Sequence, residues 1–219
     1  MNRIEKVLML LVFLMAQVIF VSCSKDDDDP KTVNNEQVTI SDDGKVSNGG
    51  IFSSLDDQNF YLDYIKYTVK EGHLVVSGYD RVGFKGVAKI VARITYKGNS
   101  YEVLGIGTGA FYNCGKLTSV NIPNSVIYIG EDAFKGCSDL VSITIPHGVT
   151  SIGGYVFYEC SGLKSVHCLS STPPTVGWGW DCLFSDDTYH NATLYVPKGS
   201  LAAYRSVEEW KYFENIVEE

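Results

Sequence analysis

The cysteines and histidines are the residues here best able to do chemistry, so the first question is whether spacing lets them act together. Cys114, Cys137 and Cys160 recur at one constant interval. Equivalent positions in stacked coils lie near disulfide-permitted separations. Three thiols cannot pair completely, however, and they read better as small apolar groups forming an interior column. Cys168 and Cys182 are the better disulfide candidates in a chain that meets an oxidising compartment. His167, Cys168, Cys182 and His190 lack the tight C-x-x-C or H-x-x-x-H spacing of a zinc set. Asp186-Asp187 has none of the repeated oxygen ligands that accompany it in a calcium loop. No metal and no cofactor is expected. The chain has no Gly-x-Ser-x-Gly elbow, phosphate loop or His-Glu-x-x-His, so no enzymatic role is expected either. A last candidate is Gly177-Trp178-Gly179-Trp180, where Trp178 and Trp180 could show aromatic faces to a sugar or a protein. Packing against a cap is the commoner use of such tryptophans.

The elements that would position these residues are announced by an internal repeat, the feature to seek first in any chain. Ile106-Gly107-Thr108-Gly109-Ala110-Phe111-Tyr112-Asn113-Cys114 aligns with Ile129-Gly130-Glu131-Asp132-Ala133-Phe134-Lys135-Gly136-Cys137. A third copy runs from Ile152 to Cys160. Phe111, Phe134 and Phe157 keep the same 23-residue step, as do Leu117, Leu140 and Leu163. Downstream, Val120-Asn121-Ile122-Pro123 matches Ile143-Thr144-Ile145-Pro146, and the third copy, Val166-His167-Cys168, lacks the proline. The glycines of Ile106-Gly107-Thr108-Gly109 therefore belong to a structural period and imply no cofactor.

A period of 23 falls in the leucine-rich-repeat range. Leu117-Thr118-Ser119-Val120-Asn121-Ile122 follows L-x-x-L-x-L, sending Leu117, Val120 and Ile122 inward. One coil cannot bury its apolar face alone, and stacking makes the core continuous. The expected fold is mainly β: a short leucine-rich-repeat solenoid of about three 23-residue coils over 106–172. A β-rich N-terminal cap (51–105) and a small C-terminal cap containing a short helix (173–219) would close its ends. In the first cap, strands flank Glu71-Gly72 and Lys97-Gly98-Asn99 as hairpins. In the second, Ser200 can N-cap a helix carrying Leu201, Tyr204 and Val207, with Trp210, Phe213 and Ile216 following at near-helical spacing.

The repeat wording Ile-Gly-x-x-Ala-Phe-x-x-Cys-x-x-Leu-x-x-Val-x-Ile-Pro resembles the BspA-type leucine-rich-repeat family from Ile106 to about Thr172. The stretch from Ala192-Thr193-Leu194-Tyr195-Val196-Pro197 to the C-terminus is similar to that family's closing segment. The resemblance implies a surface-displayed solenoid that binds host or microbial macromolecules and carries no catalytic residues.

Before the repeats lies an address. Arg3 and Lys6 precede the apolar run Val7 to Val21, which is short for a membrane span and right for an export signal. Phe20-Val21-Ser22-Cys23 resembles a bacterial lipobox, with Cys23 taking the lipid. The acidic run Asp26 to Asp29 looks like the surface-export signal of lipoproteins from Bacteroides and its relatives. The expected division is a signal peptide (1–22) and an acylated, acidic tether (23–50) with little fixed structure. Removal of Met1 to Ser22 takes away Arg3, Lys6 and Glu5, leaving 16 basic and 25 acidic residues and a net charge of −9. That balance repels phosphate backbones, so nucleic acid is not an expected partner.

Binding is then expected on the outward strand positions Ser119 and Asn121, Ser142 and Thr144, and Ser165 and His167, flanked by Lys164. A solvated polar face would look the same. Three short strands offer only a few hundred Å², against about 800 Å² per partner in a stable protein interface. A partner must therefore also touch a cap, or bind weakly through many copies. The expected function is adhesion or protein recognition by a lipid-anchored outer-membrane protein facing the exterior. The alternative is glycan capture for a nutrient-uptake complex, with purely structural scaffolding third.

Overall fold

The computed structural model describes residues 37–41, 45–177 and 182–219. Its first strand, β1 (Gln37–Ile40), alternates exposed and buried residues and puts Val38 and Ile40 into the core. The strands β2 (Phe52–Ser54), β3 (Asn59–Leu62), β4 (Ile65–Lys70) and β5 (His73–Tyr79) form an antiparallel run. β6 (Val87–Lys89) follows, then the hairpin of β7 (Arg93–Tyr96) and β8 (Asn99–Ile106). Both hairpin turns form where the sequence places them. Glu71 and Gly72 have φ of 48° and 84°, Lys97 and Gly98 49° and 72°. Two successive positive φ values match the right-handed twist of the flanking strands. The expectation of little fixed structure up to about Gly50 fails at β1, which pairs in parallel with β7. Its alternation is short, but it covers an otherwise open edge.

From β8 onward the chain coils, and each coil has three sides. One side is the parallel sheet of β8, β10 (Tyr128–Ile129), β12 (Ser151–Ile152) and β14 (Thr175–Val176), aligned as Ile106, Ile129, Ile152 and Val176. β5 joins it in parallel, with Val76 opposite Ile106. The second side is a turn whose backbone bonds run from coil to coil: Phe111 N–H to Ala133 O (2.7 Å) and Phe134 N–H to Val156 O (3.0 Å). The third side holds β9 (Ser119–Asn121), β11 (Ser142–Ile145), β13 (Ser165–Cys168), β15 (Thr193–Val196) and β16 (Asn215–Glu218). Inter-coil hydrogen bonds on every side satisfy the backbone groups that burial would otherwise strand.

The turn side needs glycine where neighbouring coils come close. A Cβ on Gly153 would lie 2.4 Å from the backbone nitrogen of Glu131 and 2.7 Å from its Cα. Those atoms cannot swing away, which accounts for the glycine of the Ile-Gly pair.

Inside, Phe111, Phe134 and Phe157 form one stack. Successive centroids are 5.3 and 5.6 Å apart, with planes 4° apart in both cases. The stack is longer than the three matched copies imply. Tyr79 extends it at one end (5.7 Å, 14°) and Phe184 at the other (5.2 Å, 15°). Phe184 follows Phe157 by a longer step than the repeat's own, so the period does not reveal it. Beyond it parallel stacking stops, because Phe213 and Trp210 meet Phe184 edge-on at 76° and 68°. Trp210 Nε1–H donates to Pro174 O (3.0 Å), so its one polar atom is satisfied inside the core.

The cysteines line the same interior. Cys114, Cys137 and Cys160 are buried free thiols. Cys137 and Cys160 donate to Phe111 O (3.3 Å) and Phe134 O (3.1 Å) of the preceding coil. Cys168 and Cys182 form no disulfide: Cys168 is buried on the inward face of β13, and Cys182 is exposed.

Two helices lie near the C-terminal end, α1 (Asp186–Asn191) and α2 (Leu201–Ser206). Ser200 does precede α2, but its hydroxyl donates to Pro197 O and makes no cap bond. Glu218 Oε1 accepts from Leu201 N–H instead (2.9 Å). The near-helical spacing of Trp210, Phe213 and Ile216 also misleads. The first two sit in a turn after α2, and Ile216 lies on β16. All three still face the core.

Candidate functional site

The third side of the coil turns its polar residues outward because its strands alternate. Ile143, Ile145, Val166, Leu194 and Val196 point in and are buried, so their neighbours must face solvent. The structure brings every strand residue named from the sequence onto this face. Ser142 pairs with Ser165 and Thr144 with His167, in parallel register. Ser119 and Asn121 occupy the same two positions one coil earlier, on β9, which lies beside β11 without ladder pairing. Lys164, next to Ser165, is exposed and donates its backbone N–H to Val141 O (2.8 Å).

The face runs further than the three repeat copies. β6 adds Val87 and Lys89 before Ser119 and Asn121. β15 adds Thr193 and Tyr195 beyond Ser165 and His167, and β16 adds Asn215 and Val217. Thr193-Leu194-Tyr195-Val196-Pro197 repeats the pattern of Ser119-Val120-Asn121-Ile122-Pro123, a signal that could have found it. Thr193 follows Ser165 by more than one period, however, and the sequence alone makes it part of a closing segment.

Two rows result. The first runs Val87, Ser119, Ser142, Ser165, Thr193, Asn215 and is hydroxylic in its four middle members, where Ser165 Oγ donates to Ser142 Oγ (2.8 Å). The second is larger and more varied: Lys89, Asn121, Thr144, His167, Tyr195, Val217. His167 lies flat on Tyr195, with ring centroids 4.5 Å apart and planes 6° apart, and its Nδ1 is 3.0 Å from Glu219 Oε1. A stacked, hydrogen-bonded pair keeps its shape before a partner arrives, which lowers the ordering cost of binding. Val141 beside the rows and Val217 at the end of the second, 50% and 46% exposed, add apolar surface to them. This mixture suits recognition of a surface.

Among the described residues no group of three or more His, Cys, Asp or Glu side chains could hold a metal ion. Cys23, the whole segment 1–36, and Trp178 and Trp180 lie outside the described residues.

Residues 101–175 match the BspA type leucine rich repeat region (6 copies). No curated protein matches the chain. A leucine-rich repeat protein from Bacteroides capillosus is similar in structure, with a TM-score of 0.52 and 25% identity, over 64% of this chain and 99% of that one. A leucine-rich repeat protein from Bacteroides ovatus is 34% identical with a TM-score of 0.48, over 63% of this chain and 37% of that one. A leucine rich cell surface protein from Faecalibacterium prausnitzii is 22% identical with a TM-score of 0.45, over 66% of this chain and 46% of that one. The chain thus spans well under two thirds of the second and third of these proteins.

Proposed function

We propose that the chain is a cell-surface binding protein, lipid-anchored through Cys23, that recognises a host or microbial surface protein with the outward face of its strand ladder. The observation that supports this most is the continuity of that face. Lys89, Asn121, Thr144, His167, Tyr195 and Val217 stand in one row, register-paired everywhere but between Asn121 and Thr144. Six strands about 4.8 Å apart make the row roughly 24 Å long. Three strands would fall far short of a standard interface. Six, with the flanking Val141 and Lys164, supply a central patch to which a partner adds contacts at either end. The work of such a face is capture, not catalysis.

Two measurements test the anchor and its address. Growth with an alkyne fatty acid should label the protein, and Cys23→Ala should abolish the label; an unlabelled wild-type protein removes the anchor. Protease shaving of whole cells should release the domain, and resistance that vanishes only on lysis places it inside. For the face itself, Thr144→Arg and Tyr195→Ala should each reduce capture of partner protein from the surface of intact cells while leaving the melting temperature in place. Capture indifferent to both substitutions rules the ladder out.

A further inference from the structure

On a different side of the coil, the turn after α2 passes the sheet of β10, β12 and β14 and encloses a groove. Its volume is about 810 Å³, within the range of roughly 300–1,000 Å³ common for small-molecule sites. Tyr128, Ser151 and Thr175, one from each of three successive strands and in register, contribute their hydroxyl-bearing side chains. Glu208 and Glu209 line it from the turn.

Tyr128 lies low over the sheet. A Cβ on Gly105, its neighbour on β8, would come within 2.1 Å of Tyr128 Cζ and 2.5 Å of its hydroxyl. The ring therefore occupies the space above Gly105 and spreads along the sheet, where it is half-buried. The groove therefore has the aromatic ring on its β8 side and two small hydroxylic side chains, Ser151 and Thr175, across β10 from it.

The acidic lining is acceptor-rich without being a strong cation trap. Lys211 Nζ sits 2.7 Å from Glu208 Oε2 and balances its charge. Hydrogen bonds from Lys211 and Tyr212 hold the Glu208 carboxyl below its usual range, so it stays an acceptor. Glu209 Oε2 accepts from Tyr189 OH (2.7 Å) and Leu183 N–H (3.3 Å), and Oε1 has no partner among the described residues. Among the described residues no lysine or arginine lines the groove, and the adjacent Lys211 is already paired with Glu208, which leaves an anionic ligand no unpaired counter-charge. An extended peptide would want an open strand edge for its backbone, and the middle of this sheet offers side chains.

We propose that this groove is a binding site for a neutral saccharide, which sets the C–H face of one sugar ring on Tyr128 and directs hydroxyl groups to Glu208, Glu209, Ser151 and Thr175. A pyranose has both faces of this chemistry, an apolar patch of C–H bonds and a rim of O–H donors, and needs no charge. The site is separate from the strand ladder and stands or falls independently of it.

The test uses the full-length chain and soluble neutral glucans, mannans, galactans and xylans, with polygalacturonate as the anionic comparison, in affinity electrophoresis and on a glycan array. Tyr128→Leu keeps an apolar cover over Gly105 and removes the ring; Ser151→Trp fills the groove from an exposed position. Each should weaken binding of a neutral glycan about tenfold or more, while the ladder variant Thr144→Arg binds like wild type and all three melt as cooperatively as it does. Failure to retain any neutral glycan, binding that survives both groove substitutions, or preference for polygalacturonate overturns the assignment. So does a peptide ligand lost in Ser151→Trp in the absence of any glycan ligand.

Discussion

The rings of Phe111 and Phe134 lie 5.3 Å apart and within 4° of parallel, although a full repeat of chain runs between them. Each is fully buried and each belongs to a different coil. The contact is therefore where one coil's core becomes the next coil's core. Repeat proteins draw stability from such nearest-neighbour interfaces.

Phe134 has a parallel ring on both sides, so Phe134→Ala should open a cavity that neither neighbour can fill. The expected cost is about 3–5 kcal/mol, with Phe134→Leu losing roughly half as much. Urea denaturation followed by circular dichroism measures both. A loss below about 1 kcal/mol for Phe134→Ala would mean that the coils do not share one interior.

The turn side carries a second, smaller test. At one repeat position Asn113, Gly136 and Glu159 all have positive φ, of 54°, 73° and 59°. Left-handed backbone suits glycine and is tolerated by asparagine, but it strains glutamate. Glu159→Gly should relieve that strain and raise stability by about 0.5–1 kcal/mol, net of glycine's greater freedom when unfolded. The backbone N–H of residue 159 keeps its bond to Ser185 Oγ. Gly136→Glu should do the reverse, since its Cβ would also strike Asn113 Oδ1. A lower melting temperature for Glu159→Gly contradicts the argument.

These particulars show what the sequence could reveal. Phe111, Phe134 and Phe157 were legible because a strict period repeats type and spacing together, and the inward–outward alternation of β11 and β13 followed from it. The Glu71-Gly72 and Lys97-Gly98 turns were legible because their conformation is local. Phe184 and Thr193 were not, because each follows its predecessor by a step longer than the period, and periodicity has no purchase there. Tyr79 was hidden for another reason: it reaches the stack from a hairpin strand with no repeat motif. The groove beside Tyr128 was beyond reading, since its lining comes from β10, β12, β14 and the turn after α2. Only tertiary contact reveals that those segments meet.

The thiols give the last prediction, and it has a definite sign. Burial pushes the Cys168 thiol far above its ordinary value of 9.0, so the folded state holds it neutral where the unfolded state would ionise it. A group whose folded pKa is raised contributes its full stabilisation below the unfolded pKa and loses it as pH climbs past that value. Stability should therefore be level from pH 7 to about 8.5 and fall above 9, by up to about 1.4 kcal/mol per pH unit for this one thiol. Cys168→Ala removes the ionising group, so its stability should decline less steeply from pH 9 to 10.5 even if it starts lower at pH 7 for want of the sulfur. Urea midpoints at pH 7, 8.5, 9.5 and 10.5 decide the matter: parallel decline in wild type and Cys168→Ala would mean that the thiol is not held neutral inside. Reactivity gives an independent check on the same burial. A maleimide added to the native protein should modify the exposed Cys182 and spare Cys114, Cys137, Cys160 and Cys168 until denaturant is present, as peptide mapping would report. Labelling of Cys137 or Cys160 in the native state would mean that the coils part far more readily than their stacked rings imply.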